Sequence, residues 1–360
     1  MKNVIIIIAT LIVLAGCDTG YEGDFDDYDF NGGVYFFNAL GDVGTLSVVE
    51  EGGKIWNEVK SLGNAPNHIV EYDRELYITN WGNNNVQILN SRTLENLGSI
   101  ELPDCQINTG GMRTAISNNK AYITHSDTLG VVVYDFDKDS LYTIPITGVP
   151  DSCKNGGTDA ILSNGTKVLV GVRNVKYDDF GNGIFGNEYI VMIDAYNDSV
   201  YTAFEAGINI AGMLVNEENE LHVLSTGNRG DIGGFVRVFD LTAINFDTYS
   251  TVALGSQPGS FAINSEGMVY AAVSGFNLDW SGFGGIMKYN SIDNQVLNGA
   301  DDMLYSSASS GILGICIDGY DRVYAPLFDE NKLVILENDS VKTTLTTGNG
   351  PQGMVFVKEQ

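Results

Sequence analysis

Two histidines, one arginine and one aspartate are the residues of this chain most suited to chemistry. "NHIVEY" carries His68, "GMRTAIS" carries Arg113 and "GTDAILS" carries Asp159, each just before an apolar run. A base, a cation and a carboxylate at matching places could grip a polar ligand. With a neutral imidazole within reach of a substrate they could also move a proton. His125 in "AYITHSDT" is a second such base, while His222 in "ELHVLS" sits mid-strand and reads as a packed core histidine. Metal chemistry is poorly served, because no Cys-x-x-Cys or His-x-x-x-His spacing occurs. Asp178, Asp179 and Asn182 offer oxygen ligands of the kind calcium takes, yet they match no EF-hand loop, and a solvated acidic loop is the expectation. No glycine-rich stretch stands between a strand and a helix as a phosphate loop would.

The elements that hold these residues recur. "GNAPNHIVEYDRELYITNWGNNNVQILN" opens a unit that returns at Gly110, Gly156, Asn209, Ser256 and Ser310. The period, roughly 40 to 50 residues, is that of propeller blades. Each unit runs as an apolar strand, a tight turn rich in Asn, Asp and Gly, a strand with an aromatic or aliphatic centre, a polar loop, a third strand and a more polar fourth. Four antiparallel strands per repeat make a blade. The C-terminal "GNGPQGMVFVKEQ" copies only a first strand, and the N-terminal "GGVYFFNALGDVGTLSVVEEGGKIWNEVKSL" holds three strands without one. Joined, they complete a seventh blade and close the ring, which removes open edges. The fold expected is all-β, a seven-bladed propeller over residues 32–360.

Aligned on their first strands, the units place His68, Arg113, Asp159, Gly212, Ser260, Gly314 and Gly353 at one position near the axis. The alternatives are a water-filled mouth in which Arg113 neutralises Asp159, or a ligand-binding arc. The loops expected on the same face add Trp81, His125 and Arg229. Two longer insertions carry Tyr177, Phe180 and Phe185, and Phe276, Trp280 and Phe283. Exposed aromatics among Gly, Asn and Asp suit flat amphipathic ligands such as sugars or macrocycles. The alternative is that they pack onto neighbouring blades.

Composition narrows the partners. The chain has 360 residues, a net charge of −27 and only 19 Lys plus Arg, which argues against nucleic acid. It opens "MKNVIIIIATLIVLAGCDTG", a Lys followed by an apolar run too short to span a bilayer comfortably, then small residues before Cys17. "LAGC" resembles the lipobox of bacterial lipoproteins, which implies a signal peptide over 1–16 and lipidation of Cys17. Residues 17–31, "CDTGYEGDFDDYDFN", read as an acidic tether. That acidic stretch resembles the surface-export signal of Bacteroidota lipoproteins, which implies the outer membrane and the cell surface. Asp18 directly after the cysteine would in enterobacteria signal retention at the inner membrane, and a periplasmic face is the alternative. Cys105 and Cys153 fall at equivalent points before neighbouring blades, within disulfide reach near the axis of a ring, and an exported protein meets oxidising conditions. Cys316 reads as a buried free thiol.

"LYITNWGNNNVQILNSRTLENLGSI" resembles the YVTN repeat of YncE-like seven-bladed propellers, and the likeness extends over nearly all of residues 32–360. It implies the fold and leaves activity open, since propellers host enzymes, receptors and scaffolds. Bacteroidota lipoproteins of similar architecture include a group that captures cobalamin and passes it to an outer-membrane transporter. The resemblance thus implies a binding protein for a cobalamin-type cofactor, and the loop aromatics make a glycan the other leading class. Its rivals are a lactonase-like or lyase-like enzyme using His68 or His125, and a non-catalytic envelope scaffold.

Overall fold

The computed structural model describes residues 28–359 apart from 42, 104–109, 155, 179–182 and 277–281. It is a ring of seven antiparallel sheets of four strands, one of which gains a short fifth, Tyr305–Ser307, and so a seven-bladed β-propeller. Blade 2 runs Pro66–Tyr72, Glu75–Asn80, Asn85–Asn90 and Asn96–Glu101 from the axis outward, and blade 3 runs Gly111–Ser117, Lys120–His125, Gly130–Asp135 and Ser140–Pro145. Blades 4, 5, 6 and 7 begin at Thr158–Asn164, Ile210–Val215, Pro258–Ile263 and Cys316–Ile317. A 3-10 turn, Asp151–Cys153, leads towards blade 4.

Blade 1 is built from both ends of the chain. Pro351–Val357 is its inner strand and pairs antiparallel with Gly33–Asn38, followed outward by Thr45–Val49 and Ile55–Ser61. Gly33 stands opposite Val357 and Asn38 opposite Pro351, so the C-terminal strand seals the ring.

Tight turns set the registers. Asn118 and Asn119 both take positive φ between Ser117 and Lys120, as do Asp73 and Arg74 between Tyr72 and Glu75. Two successive left-handed residues are what a two-residue hairpin with native twist demands. The second strands lie behind the inner ones with blades on both sides, so Lys120–His125 is buried along its whole length. Outer strands such as Ser140–Pro145 alternate between exposed and covered residues. The cores therefore sit between blades. Tyr122, Val131 and Val133 of blade 3 pack against Val168, Val170 and Val191 of blade 4.

Two faces follow from the meander. The loops entering each inner strand and those joining second to third strands share one face, here the upper. The first-to-second and third-to-fourth turns share the lower. Tyr28–Asn31, read from sequence as the end of the tether, docks on the lower face. Phe30 is buried and its N–H donates to the Arg92 carbonyl at 3.0 Å, while Tyr28 stacks on Phe30 and meets Trp56 edge-on. Arg92 pairs with Asp29 through both nitrogens of a fork. Residues 1–27, with the signal peptide, Cys17 and the acidic stretch, lie outside the described residues. No helix among the described residues is long and apolar enough to cross a membrane.

Candidate functional site

The inner strands surround a central channel of about 480 Å³. Six of them carry one extra residue at the same height, between Pro66 and His68, Gly111 and Thr114, Thr158 and Ile161, Ile210 and Gly212, Pro258 and Ser260, and Gln352 and Met354. Such bulges bend a strand and re-aim its side chains. They coincide with the positions that the sequence alignment singled out.

His68 and Arg113 line the channel, with Asn67, Ser260 and the glycines Gly212, Gly259, Gly314 and Gly353. Strand pairing refines the alignment in blade 4. Ile161 pairs with Val170 as Thr114 pairs with Ile123, so Ala160 occupies the height of His68 and Arg113, and Asp159 stands one residue earlier. Asp159 is not part of the channel wall. Its carboxylate instead accepts from Arg113 Nε at 3.0 Å, from the flank between blades 3 and 4. Thr124 steadies both partners. Its hydroxyl donates to the Asp159 carbonyl at 2.7 Å and accepts from the Arg113 backbone N–H at 3.1 Å.

The Thr114 backbone N–H donates to His68 Nδ1 at 3.3 Å. Burial, then the positive charge of Arg113, pushes the imidazole down to about 3, so it is neutral at any physiological pH. With Nδ1 accepting, its proton resides on Nε2. The wall opposite is small and apolar, with Ala211, Met213, Phe261, Leu313, Ile315 and Met354.

The other expected site residues among the described ones are not part of this wall. His125 is buried at the end of a second strand, with Nδ1 2.5 Å from Asp127 Oδ1 and its backbone N–H donating to Thr158 Oγ1 at 2.9 Å. A second strand stands behind the inner one, which is why His125 does not reach the channel. Trp81 is part-buried against the next blade. A Cβ on Gly110 would come within 2.4 Å of the Trp81 carbonyl oxygen, so glycine permits that approach. Tyr177 is 65 % exposed on a short hairpin, Val175–Tyr177 with Gly183–Phe185, that rises from blade 4. Phe185 of that hairpin lies under the Arg229 guanidinium at 5.4 Å, which ties two upper-face loops together. Phe180 and Trp280 lie outside the described residues, as do Asp179, Asn182 and Cys105. Cys153 is a fully buried free thiol, and burial raises its pKa. Cys316 is likewise free and buried. His222 lies in the interface of blades 5 and 6, with Nδ1 3.0 Å from the Tyr289 hydroxyl. No group of three or more His, Cys, Asp or Glu residues among the described ones could hold a metal ion.

Sequence reasoning missed Glu188. It opens the third strand of blade 4 beneath the hairpin and is 1 % exposed. Its carboxylate accepts from the Ile210 N–H at 2.6 Å and the Asn174 N–H at 3.4 Å, and makes no salt bridge among the described residues. Burial pushes its pKa up to about 7 against those hydrogen bonds. Glu188 thus fastens the root of the hairpin to the start of blade 5. "GNEYIVMID" gave no sign of this, because a strand-opening Glu beside Gly and Asn ordinarily faces water.

Comparison with solved structures agrees on the fold. The chain is similar to a putative 6-phosphogluconolactonase from Bacteroides fragilis, with TM-score 0.60 and 13% identity over 91% of this chain and 98% of that one. It is similar to a streptogramin B lyase, with TM-score 0.57 and 12% identity over 91% and 92%. It also resembles Kuenenia stuttgartiensis hydrazine synthase, with TM-score 0.62 and 12% identity over 80% and 88%. At such identities the likeness is one of fold. No protein-family model and no curated protein sequence matches the chain.

Proposed function

We propose that this protein is a lipid-anchored envelope binding protein that captures a small molecule in the upper mouth of its central channel. One observation carries the reading. Bulges at a common height aim His68 and Arg113 into a channel whose other wall is apolar and whose volume, about 480 Å³, falls in the range of small-molecule sites. Anchoring through Cys17 agrees with the route of the chain. Tyr28–Asn31 joins the lower face, so a tether from the membrane would leave the upper mouth pointing away from it. A ligand as large as a cobalamin exceeds the channel and would rest on the upper-face loops, whereas one sugar ring or a molecule of similar size would enter.

Catalysis by His68 is the weaker reading. Its Nδ1 is occupied by a backbone N–H, and a base with a pKa near 3 takes up protons poorly at neutral pH. The test is a heat-stability screen of the purified protein against cofactors, sugars and small organic acids. A ligand at a hundredfold excess over its Kd stabilises by about 2.7 kcal/mol. Gly259→Phe serves as the control. No atom lies within 4 Å of a Cβ built at Gly259, so the ring would project into open channel. A hit that stabilises the wild type and not Gly259→Phe supports capture in the channel. Hits indifferent to the plug would place binding elsewhere.

A further inference from the structure

Resting on the capture reading, we infer that the channel selects a small molecule with a carboxylate head on an apolar body, and that His68 Nε2 and the outer nitrogens of Arg113 read the head. The hydrogen-bonding atoms already in use leave a defined set free. Thr114 donates to Nδ1 of His68, so the neutral ring offers the channel a donor, Nε2–H, which has no protein partner among the described residues. Asp159 takes Nε of Arg113, and the two Nη groups at the far end of the fork make no hydrogen bond to protein among those residues. A guanidinium held by Nε from one side presents its Nη pair, the geometry that receives the two oxygens of a carboxylate.

Asp159 contributes positioning rather than repulsion. It stands outside the channel wall and fixes the fork's direction. The pair as a whole is neutral, so recognition rests on oriented donors more than on net charge. The chain's net charge of −27, and Glu71 in the same channel, oppose an anion, so the donors must act on the head at short range. The glycines Gly212, Gly259 and Gly314 leave room across the channel from the donors. Met213, Phe261, Leu313 and Met354 beside them offer apolar surface for a chain or ring.

The experiment titrates the full mature chain with octanoate, octanamide and octylamine, by calorimetry and by heat unfolding. Octanoate should bind best, octanamide more weakly, and octylamine not at all. Arg113→Ala should weaken octanoate about tenfold or more, as expected for a lost charge-assisted bond. Arg113→Lys, which keeps the charge and loses the fork, should fall between, and it covers the case in which the alanine variant fails to fold. Equal binding of octylamine and octanoate, undiminished octanoate binding in both Arg113 variants, or no octanoate binding at millimolar concentration would each overturn the head-group assignment. The capture reading fails separately, if whatever ligand the screen supplies ignores Gly259→Phe.

Discussion

Two kinds of ionic cluster in this protein put acids and cations to opposite effect. On the lower side, Asp198 of blade 4 accepts from Lys120 Nζ at 2.6 Å, Tyr122 at 2.7 Å and Tyr142 at 2.5 Å, all from blade 3. Asp339 of blade 7 repeats the device with Lys288 and Tyr270 of blade 6, at 2.6 and 2.8 Å. In the channel, Arg113 gives one donor to Asp159 and keeps the rest, and His68 keeps Nε2–H. The lower clusters join blades and leave little for a ligand. The channel cluster leaves donors facing a cavity. A charged pair therefore speaks of function only once its unused atoms have been counted, because a saturated one is explained by the fold it holds together.

The largest expected effect removes the frame common to both clusters. Deleting Asn349–Gln360 takes away the inner strand of blade 1, with Gly353 and Met354 of the channel wall, and leaves Gly33–Asn38 with an open edge. The product should be aggregated or largely unfolded by sedimentation and circular dichroism. A soluble product with full cooperative unfolding would disprove closure by that strand.

Asp198→Ala comes next. It takes the carboxylate from Lys120, Tyr122 and Tyr142 at a blade interface, leaving the first two only the Ala195 carbonyl, and should cost about 2–3 kcal/mol in denaturant unfolding, with ligand binding unchanged. A loss below about 0.5 kcal/mol would mean that the lower clusters are decorative, and the contrast with the channel would lose one side.

Glu188 gives an effect of similar or smaller size that depends on pH. Its pKa in the folded chain, about 7, lies above the ordinary carboxylate range near 4.5, so the folded state holds a proton that the unfolded state releases. Stability is then greatest below about pH 4.5 and falls as pH rises towards 7, by up to about 3 kcal/mol. Glu188→Gln keeps an acceptor for the Ile210 N–H and removes that loss. It should be more stable than wild type by about 1–3 kcal/mol at pH 8, with the difference vanishing near pH 4. Unfolding curves at the two pH values check this, and a difference independent of pH would refute it.

Arg113→Ala should be the mildest of the four for stability, within about 1 kcal/mol of wild type, because the pair with Asp159 is part-exposed. That mild cost beside a large loss of binding is the mirror image of Asp198→Ala.

Most of the architecture was legible because each blade repeats one hydrophobic code. Tyr35, Tyr77, Tyr122, Tyr270 and Tyr324 occupy the same place in their second strands, and His222 in blade 5 fills it too, bonded to Tyr289 as a tyrosine-like bridge between blades. The complementary terminal fragments announced the closing strand. The channel position was legible for His68 and Arg113, whose turns and strands match residue for residue. It slipped by one at Asp159, where "SNGT" replaces "SNNK" and the hairpin turn resets the register of blade 4. His125 was placed on the right face and in the wrong layer, since periodicity gives a strand's buried face but not the strand in front of it. Glu188 was hidden for the opposite reason. Its burial is imposed by Asn174 and Ile210, which are distant in sequence, and local polarity carries no trace of such a contact.

The most direct test of channel capture is the shift in unfolding temperature that one saturating ligand produces in wild type, Asp198→Ala, Arg113→Ala and Gly259→Phe, measured side by side. A full shift is expected in wild type and in Asp198→Ala, a reduced one in Arg113→Ala and none in Gly259→Phe. An equal shift in all four would contradict channel capture.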